Sequence, residues 1–242
     1  MKYRDYFQHI SFRWYQPMMY PKGFTKLNRI LQRVHLSLEV LNTRLPADAK
    51  ITQQRLRELL KIPRLSTYAI AALINRGVSQ LAEGMCFVNI GVWHGFTFLA
   101  GMQGNADKCC IGVDNFSTLG NPKDAFLERF NCVQSQNHTF YDLDYQDYFA
   151  TVHKAPIGLY LYDGDHSYLH QLRGLEIAAP FFADSCFILV DDTNRSAPRQ
   201  ATLDFVAKYP GRYHIVLDQN TCVADHPTFW DGLMIVQKLP TL

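Results

Sequence analysis

Polar residues of one kind recur at the ends of short apolar runs in this chain, and their chemistry is that of ligand and proton handling. Asn89, Gly91 and Gly95 follow CFV in CFVNIGVWHG. Asp114 and Asn115 end CCIGVDN, and Asp142 and Asp144 end HTFYDLD. Asp163, Asp165 and His166 end IGLYLYDGDH, and Asp191, Asp192 and Asn194 end CFILVDDTN. Glycines where a strand turns into a helix let the backbone approach a ligand and expose helix N-terminal amides. The spacing is GxxxG rather than GxGxxG, which argues against a dinucleotide pyrophosphate. Asp114 follows Gly91 at about the interval of a ribose-binding acid, roughly 20 residues. Its two oxygens can accept one ribose hydroxyl each. Asp144, and less directly Asp142, suits an adenine amino group or the cap of a following helix.

The DGDH cluster is costly to place without a role, because carboxylates and imidazole resist burial. If the fourth and fifth runs are neighbouring strands, Asp163, Asp191 and Asp192 converge. With Asn194 they offer hard oxygen donors of the kind Mg²⁺, Mn²⁺ or Ca²⁺ requires. Without a cation, their repulsion raises at least one pKa. The plainer alternative is that some of them only cap helices. His166 and His170 have the spacing of one helix face, but HxxxH is unspecific for zinc.

These residues need elements to hold them. From about residue 84 apolar strand patterns alternate with helical ones: strands over 86–92, 109–114, 138–144, 157–164, 186–192, 213–219 and 232–239. Alternation of this kind predicts an α/β fold, a doubly wound Rossmann-like seven-stranded sheet with helices on both faces. The connection 220–231 is too short for a helical crossover, so the last strand is expected to be reversed. Residues 1–84 read as a helical region and 85–242 as the sheet domain. Leu27, Ile30, Leu31, Val34, Leu38 and Leu41 predict one amphipathic helix. A short helix near 52–60 and a longer one from Ser66 or Thr67 to Ala82 follow. The aromatic stretch Phe7–Tyr20 and Phe229-Trp230 stand outside the core pattern and are candidates for a lid or an oligomer contact.

Composition narrows the function classes. Hydrophobic residues make up 48% and charged residues 19%, so a large core is expected rather than disorder. Net charge is +2, which does not suggest a nucleic-acid partner. The six cysteines show no CxxC pair, as expected of reduced thiols in a cytoplasmic protein. The N-terminus lacks an apolar signal core, and no run is long enough for a membrane span, so no membrane partner is expected.

NIGVWHGFTF, IGVDNF, YDGDHSY and ILVDDT, in this order, resemble class I S-adenosylmethionine-dependent methyltransferases. The nearest subgroup has a DGDHSY-type fourth strand and a DD-containing fifth, and includes macrocin-type sugar O-methyltransferases and cephalosporin-hydroxylase-like proteins. The resemblance covers roughly residues 84–240. The YDGDHSY and DD pair is its specific part; the glycine motif is generic. It implies methyl transfer from S-adenosylmethionine to a hydroxyl of a small acceptor such as a sugar or secondary metabolite. It implies a cofactor held by Asn89, Gly91, Gly95, Asp114, Asn115, Asp144 and Asp163. It implies Mg²⁺ on Asp163, Asp191 and Asp192 in metal-dependent members, and Asp165 or His166 as catalytic base. The family usually has an acid where this chain has Asn89, which carries no charge to pair with the cofactor. The resemblance leaves two rivals open: a metal-dependent hydrolase or hydroxylase-like enzyme, and a non-catalytic binding module. Acceptor choice is expected to lie with the N-terminal helices, which are also the expected place of a homo-oligomer contact, and with the 115–121 and 220–231 loops.

Overall fold

The computed structural model describes residues 2–46 and 49–240. One sheet contains β1 (Cys86–Ile90), β2 (Cys109–Val113), β3 (His138–Tyr141), β4 (Ile157–Tyr162), β5 (Phe182–Asp191), β6 (Tyr213–Gln219) and β7 (Leu233–Lys238). Their order is β3-β2-β1-β4-β5-β7-β6. The first five are mutually parallel, and β7 runs antiparallel to both β5 and β6. The reversal is the one that the short 220–231 connection requires. Every residue of β1 and β4 is buried, because helices cover both faces. Strand order reverses between β1 and β4, and the crevice at their carboxyl ends is where this architecture binds ligands.

On one face lie α5 (Tyr68–Ser79), α6 (Phe96–Met102) and α7 (Lys123–Val133). On the other lie α8 (Tyr145–Thr151), α9 (Tyr168–Ala178) and α10 (Ser196–Lys208). The N-terminal region adds α1 (Tyr3–Gln8), α2 (Phe24–Gln32), α3 (Leu38–Asn42) and α4 (Ala49–Leu56). A two-residue ribbon, Ser11–Phe12 against Thr43–Arg44, ties it together. Its aromatics join the sheet's own core: Tyr3 and Phe7 meet Phe187 of β5 edge-on, at 4.9 and 5.9 Å between ring centroids. Residues on both sides of position 84 therefore share one hydrophobic cluster.

Two expectations for this region change. The single helix over 27–41 is interrupted. His35 takes a left-handed conformation (φ +60), and Ser37 starts α3 with its side chain accepting from the Val40 amide. Asn28 adds a bond from the Leu38 amide, so the chain gains caps in exchange for helix continuity. Leu38 is buried, while Leu27, Ile30 and Val34 are exposed. The Phe7–Tyr20 stretch is not a lid either. Phe7 and Phe12 are core residues, and Phe12 packs edge-on against Phe229. The 17–19 segment is bonded to the 220–231 connection through Cys222 and His226.

Candidate active site

A cleft opens at the carboxyl ends of β1, β2 and β4. Ile90–Trp93, Val113–Leu119, Leu143–Tyr145 and Asp163–Asp165 line it from the sheet side. Gly91 has φ +79, and a Cβ there would stand 1.9 Å from the Asp163 carbonyl oxygen. Its missing side chain therefore joins the turns after β1 and β4. Gly95 (φ +95) N-caps α6, and a Cβ would meet Phe126 at 2.7 Å. It lets α7 pack closely and is not a lining residue of the cleft. Asn89 is fully buried beneath the turn. Its amide donates to the Gly91 carbonyl at 2.8 Å, and its Oδ1 has no partner.

Asp114 organises the turn above it. Its Oδ2 accepts from the amides of Val92 and Trp93 at 2.7 and 2.8 Å, and Oδ1 accepts from Phe116 at 2.7 Å. These bonds hold Trp93 in a left-handed conformation, φ +48, at the cleft wall. A carboxylate offers about four acceptor positions, so about one remains, on Oδ1. The chain's own amides thus use about three of the positions with which Asp114 was expected to hold both ribose hydroxyls. Asn115 accepts from the Ser117 amide through Oδ1 and approaches Asp144 Oδ2 at 3.5 Å. Asp144 N-caps α8 through Oδ1, which accepts from Gln146 at 2.8 Å. It lines the cleft. Asp142 faces away, in an exposed ion pair with Lys123.

His166 sits between two carboxylates. Its Nε2 is 3.5 Å from Asp163 Oδ1 and 3.6 Å from Asp192 Oδ2. Burial pulls its pKa down, but Asp163 and Asp192 outweigh this and raise it. Asp163 lines the cleft; burial raises its pKa, and His166 opposes that. His166 stands behind Asp163 and is not a lining residue. Asp165 lines the cleft, with Oδ1 accepting from the Ser167 amide at 2.7 Å, a bond that lowers its pKa. Of the two candidate bases, one is thus behind the wall and the other is held ionised and weakly basic.

The three acids expected to hold a metal meet different partners. Asp163, Asp191 and Asp192 end adjacent strands, yet among the described residues no group of three or more such side chains could hold an ion. The reason is local. Asp192 is left-handed (φ +56) and faces His166 and Arg195, the latter at 3.2 Å. Asp191 is 2% exposed, and its Oδ1 has no partner. Burial, followed by the charge of Asp163, raises its pKa well above the carboxylate range. Asp191 is thus buried, while Asp163 and Asp192 both face His166. Asn194 is engaged with Thr221 and Asp231.

Sequence reasoning missed the wall contributed from upstream. Arg64, Leu65 and Ser66 line the cleft just before α5, as do Phe116 and His170. Ser66 and Thr67 both look like caps; Thr67 is the cap, while Ser66 is buried with an unpartnered Oγ. Phe116 falls in the 115–121 loop expected to set acceptor choice, and His170 was singled out only for its spacing from His166. His170 Nδ1 lies 3.2 Å from the Tyr145 hydroxyl. The 115–119 part of the second loop does line the cleft, whereas 220–231 does not.

Residues 88–193 match a family described as methyltransferase domain (Methyltransf_24). No curated protein matches the chain in sequence. The cofactor-bound Rv0187 protein of MTB is similar in structure, with TM-score 0.59, 13% identity, and 92% of this chain and 100% of that one covered. An O-methyltransferase from Bacillus cereus in complex with SAH has TM-score 0.54, 14% identity, and 90% and 99% coverage. At such identity the likeness speaks to the fold. The matched segment runs from within β1 to just past β5 and holds every candidate site residue named from the sequence except Asn194. Residues 88–193 thus resemble a methyltransferase domain, on a Rossmann-like sheet with one reversed strand.

Proposed function

We propose that this protein is an S-adenosylmethionine-dependent O-methyltransferase acting on a small hydroxylated molecule, with the sugar and secondary-metabolite enzymes as its nearest functional class. The observation that carries this reading is the cleft itself. At the switch point of the sheet it combines a glycine turn, the remaining acceptor position of Asp114, and Asp144 beside Phe116 and Tyr145. That donor set fits a nucleoside: a carboxylate oxygen for one ribose hydroxyl, an acid for an exocyclic amine, and aromatic edges for a planar base. When bound there, S-adenosylmethionine supplies an electrophilic methyl group.

The remaining work falls to the chain. Methyl transfer is an in-line displacement, so orienting the acceptor oxygen is the main task. Methylation of an acceptor hydroxyl would release its proton, which a residue of the cleft would have to take up. Asp163 is the group placed to take it, because it lines the cleft and its raised pKa makes it a better base than Asp165. His166, with Asp192 behind it, steadies the charged form of Asp163. No metal is invoked, since the acids that would hold one face His166 and Arg195 or lie buried.

Calorimetry with S-adenosylhomocysteine is the test. Saturable binding at micromolar ligand is expected, and absence of heat at high micromolar ligand would sink the reading. Asp163→Asn should lower turnover by about 10²–10⁴, the usual worth of a positioned base, with little change in cofactor affinity.

A further inference from the structure

Helix α2 presents a surface that its own fold leaves uncovered. Phe24, Asn28 and Leu31 form its inner, half-buried seam; Leu27 and Ile30 stand next to them on the outside at helical spacing, and Val34 follows in the turn after the helix. Ile30 is 51% exposed and Val34 62%. The segment leading into the helix exposes Trp14, Met18 and Tyr20, Met18 at 69%. Monomeric surfaces scatter single apolar residues, but a run of this kind marks a contact site.

Charge identifies the contact. Between Asp5 and Glu39 there is no acidic residue, while Arg13, Lys22, Lys26, Arg29 and Arg33 all fall there. The whole chain carries only +2, so the rest of it is net negative. On the helical wheel, Lys26 and Arg33 lie beside the exposed apolar strip and Arg29 just beyond them. Lys22, Lys26, Arg29 and Arg33 have no ion-pair partner among the described residues.

We infer that α2 and the 14–20 segment form an interfacial patch that docks on an anionic lipid bilayer. An apolar strip bordered by lysine and arginine fits the boundary between acyl chains and acidic headgroups, and tryptophan and tyrosine favour the same depth. Two other occupants fit less well. A second copy meeting this face about a two-fold axis would set one basic stretch against another, with no carboxylate of that stretch between them. The cofactor cleft is not covered, since no residue before Arg64 lines it. The expectation of no membrane partner came from the absence of a span, and no described helix is long and apolar enough to cross a membrane. Lying on a surface needs no span.

The test is co-sedimentation of the full chain with phosphatidylcholine vesicles, with and without phosphatidylglycerol. The protein should pellet with the anionic vesicles only and be released by salt, which screens the basic contribution. Arg29→Gln with Arg33→Gln should weaken partitioning about thirtyfold, given the weight of each basic side chain at such a surface. Ile30→Asp should weaken it by at least about tenfold through lost burial. Both are exposed positions, so melting temperature should hold, and S-adenosylhomocysteine binding should be unchanged. Failure to pellet with anionic vesicles overturns the inference. So does an Ile30→Asp variant that pellets like the parent. A dimer by light scattering that Ile30→Asp dissolves would assign the face to a second copy instead. Duplex DNA binding that depends on Arg29 and Arg33 but not on Ile30 would assign it to a polyanion, and would equally overturn the lipid.

Discussion

A Cβ on Gly91 would stand 1.9 Å from the carbonyl oxygen of Asp163. The turn after β1 and the end of β4 touch only because residue 91 has no side chain. Its φ of +79 adds a conformational demand of the same sign. Gly91→Ala must push apart the two strand ends that frame the cleft. A stability loss of about 3 kcal/mol is expected, from overpacking plus left-handed strain. For a chain of this size that lowers Tm by roughly 6–12 °C, measurable by calorimetry. An unchanged Tm would show that the turn can relax.

Asp114 spends most of its acceptor capacity on the chain itself, at Val92, Trp93 and Phe116. In Asp114→Asn, one oxygen becomes an N–H₂ donor that repels the amide protons it faces. S-adenosylhomocysteine affinity should fall at least about tenfold, the worth of one hydrogen bond to a charged group. Amide exchange at Val92 and Trp93 should accelerate in the free protein. Lost affinity with no faster exchange would mean that the carboxylate acts on the ligand alone.

His166 links folding to pH above its unfolded pKa of about 6.5. Burial works against its proton, but Asp163 and Asp192 win and raise its pKa. The folded protein therefore holds this proton more tightly than the unfolded chain. The resulting stability is complete below the unfolded value of about 6.5 and fades as pH rises through the folded one. His166→Gln should cost about 2 kcal/mol below that value, since two partly buried carboxylates lose their cation. It should also flatten the decline of Tm on the alkaline side. A parallel downward shift at all pH values would assign His166 a packing role only.

Asp191 acts in the acid range with its own sign. Burial raises its pKa, so the folded state again holds the extra proton. Its contribution is most favourable below the unfolded carboxylate value of about 3.9 and is lost as pH climbs through the folded one. Asp191→Asn keeps the shape and removes the titration. Tm at neutral pH should rise, and the gain should vanish near pH 4. A loss of stability at neutral pH would show that the carboxylate is used by a partner in solution.

Cys86 and Cys109 face each other in register across β1 and β2. The Cys86 thiol beside it brings the half-buried Cys109 thiol down to about 7, against the pull of burial. Iodoacetamide should alkylate Cys109 with a midpoint near pH 7, followed by peptide mass spectrometry. Cys86→Ala should move that midpoint up by removing the donor. An unmoved midpoint would detach the thiol's acidity from Cys86.

The sheet was legible in the residues because buried parallel strands need near-continuous apolar runs, and CFVNI, broken only by Asn89, CCIGV and IGLYLY are such runs. The reversed last strand was legible because a dozen irregular residues cannot make a parallel crossover. Types of chemistry at the strand ends were legible too, since Asp114, Asp144 and Asp163 do line one cleft. What those acids face was not. Whether Asp192 meets a cation or His166 depends on a left-handed residue and on Arg195, and backbone handedness at a single aspartate leaves no trace in periodicity. The amphipathic pattern of residues 27–41 likewise states which face is apolar but not whether anything covers it. Local sequence sets the pattern of each element through its own sterics and solvation. Only the packing of elements distant in sequence decides which polar group meets which, because burial, charge and close approach are properties of neighbours in space.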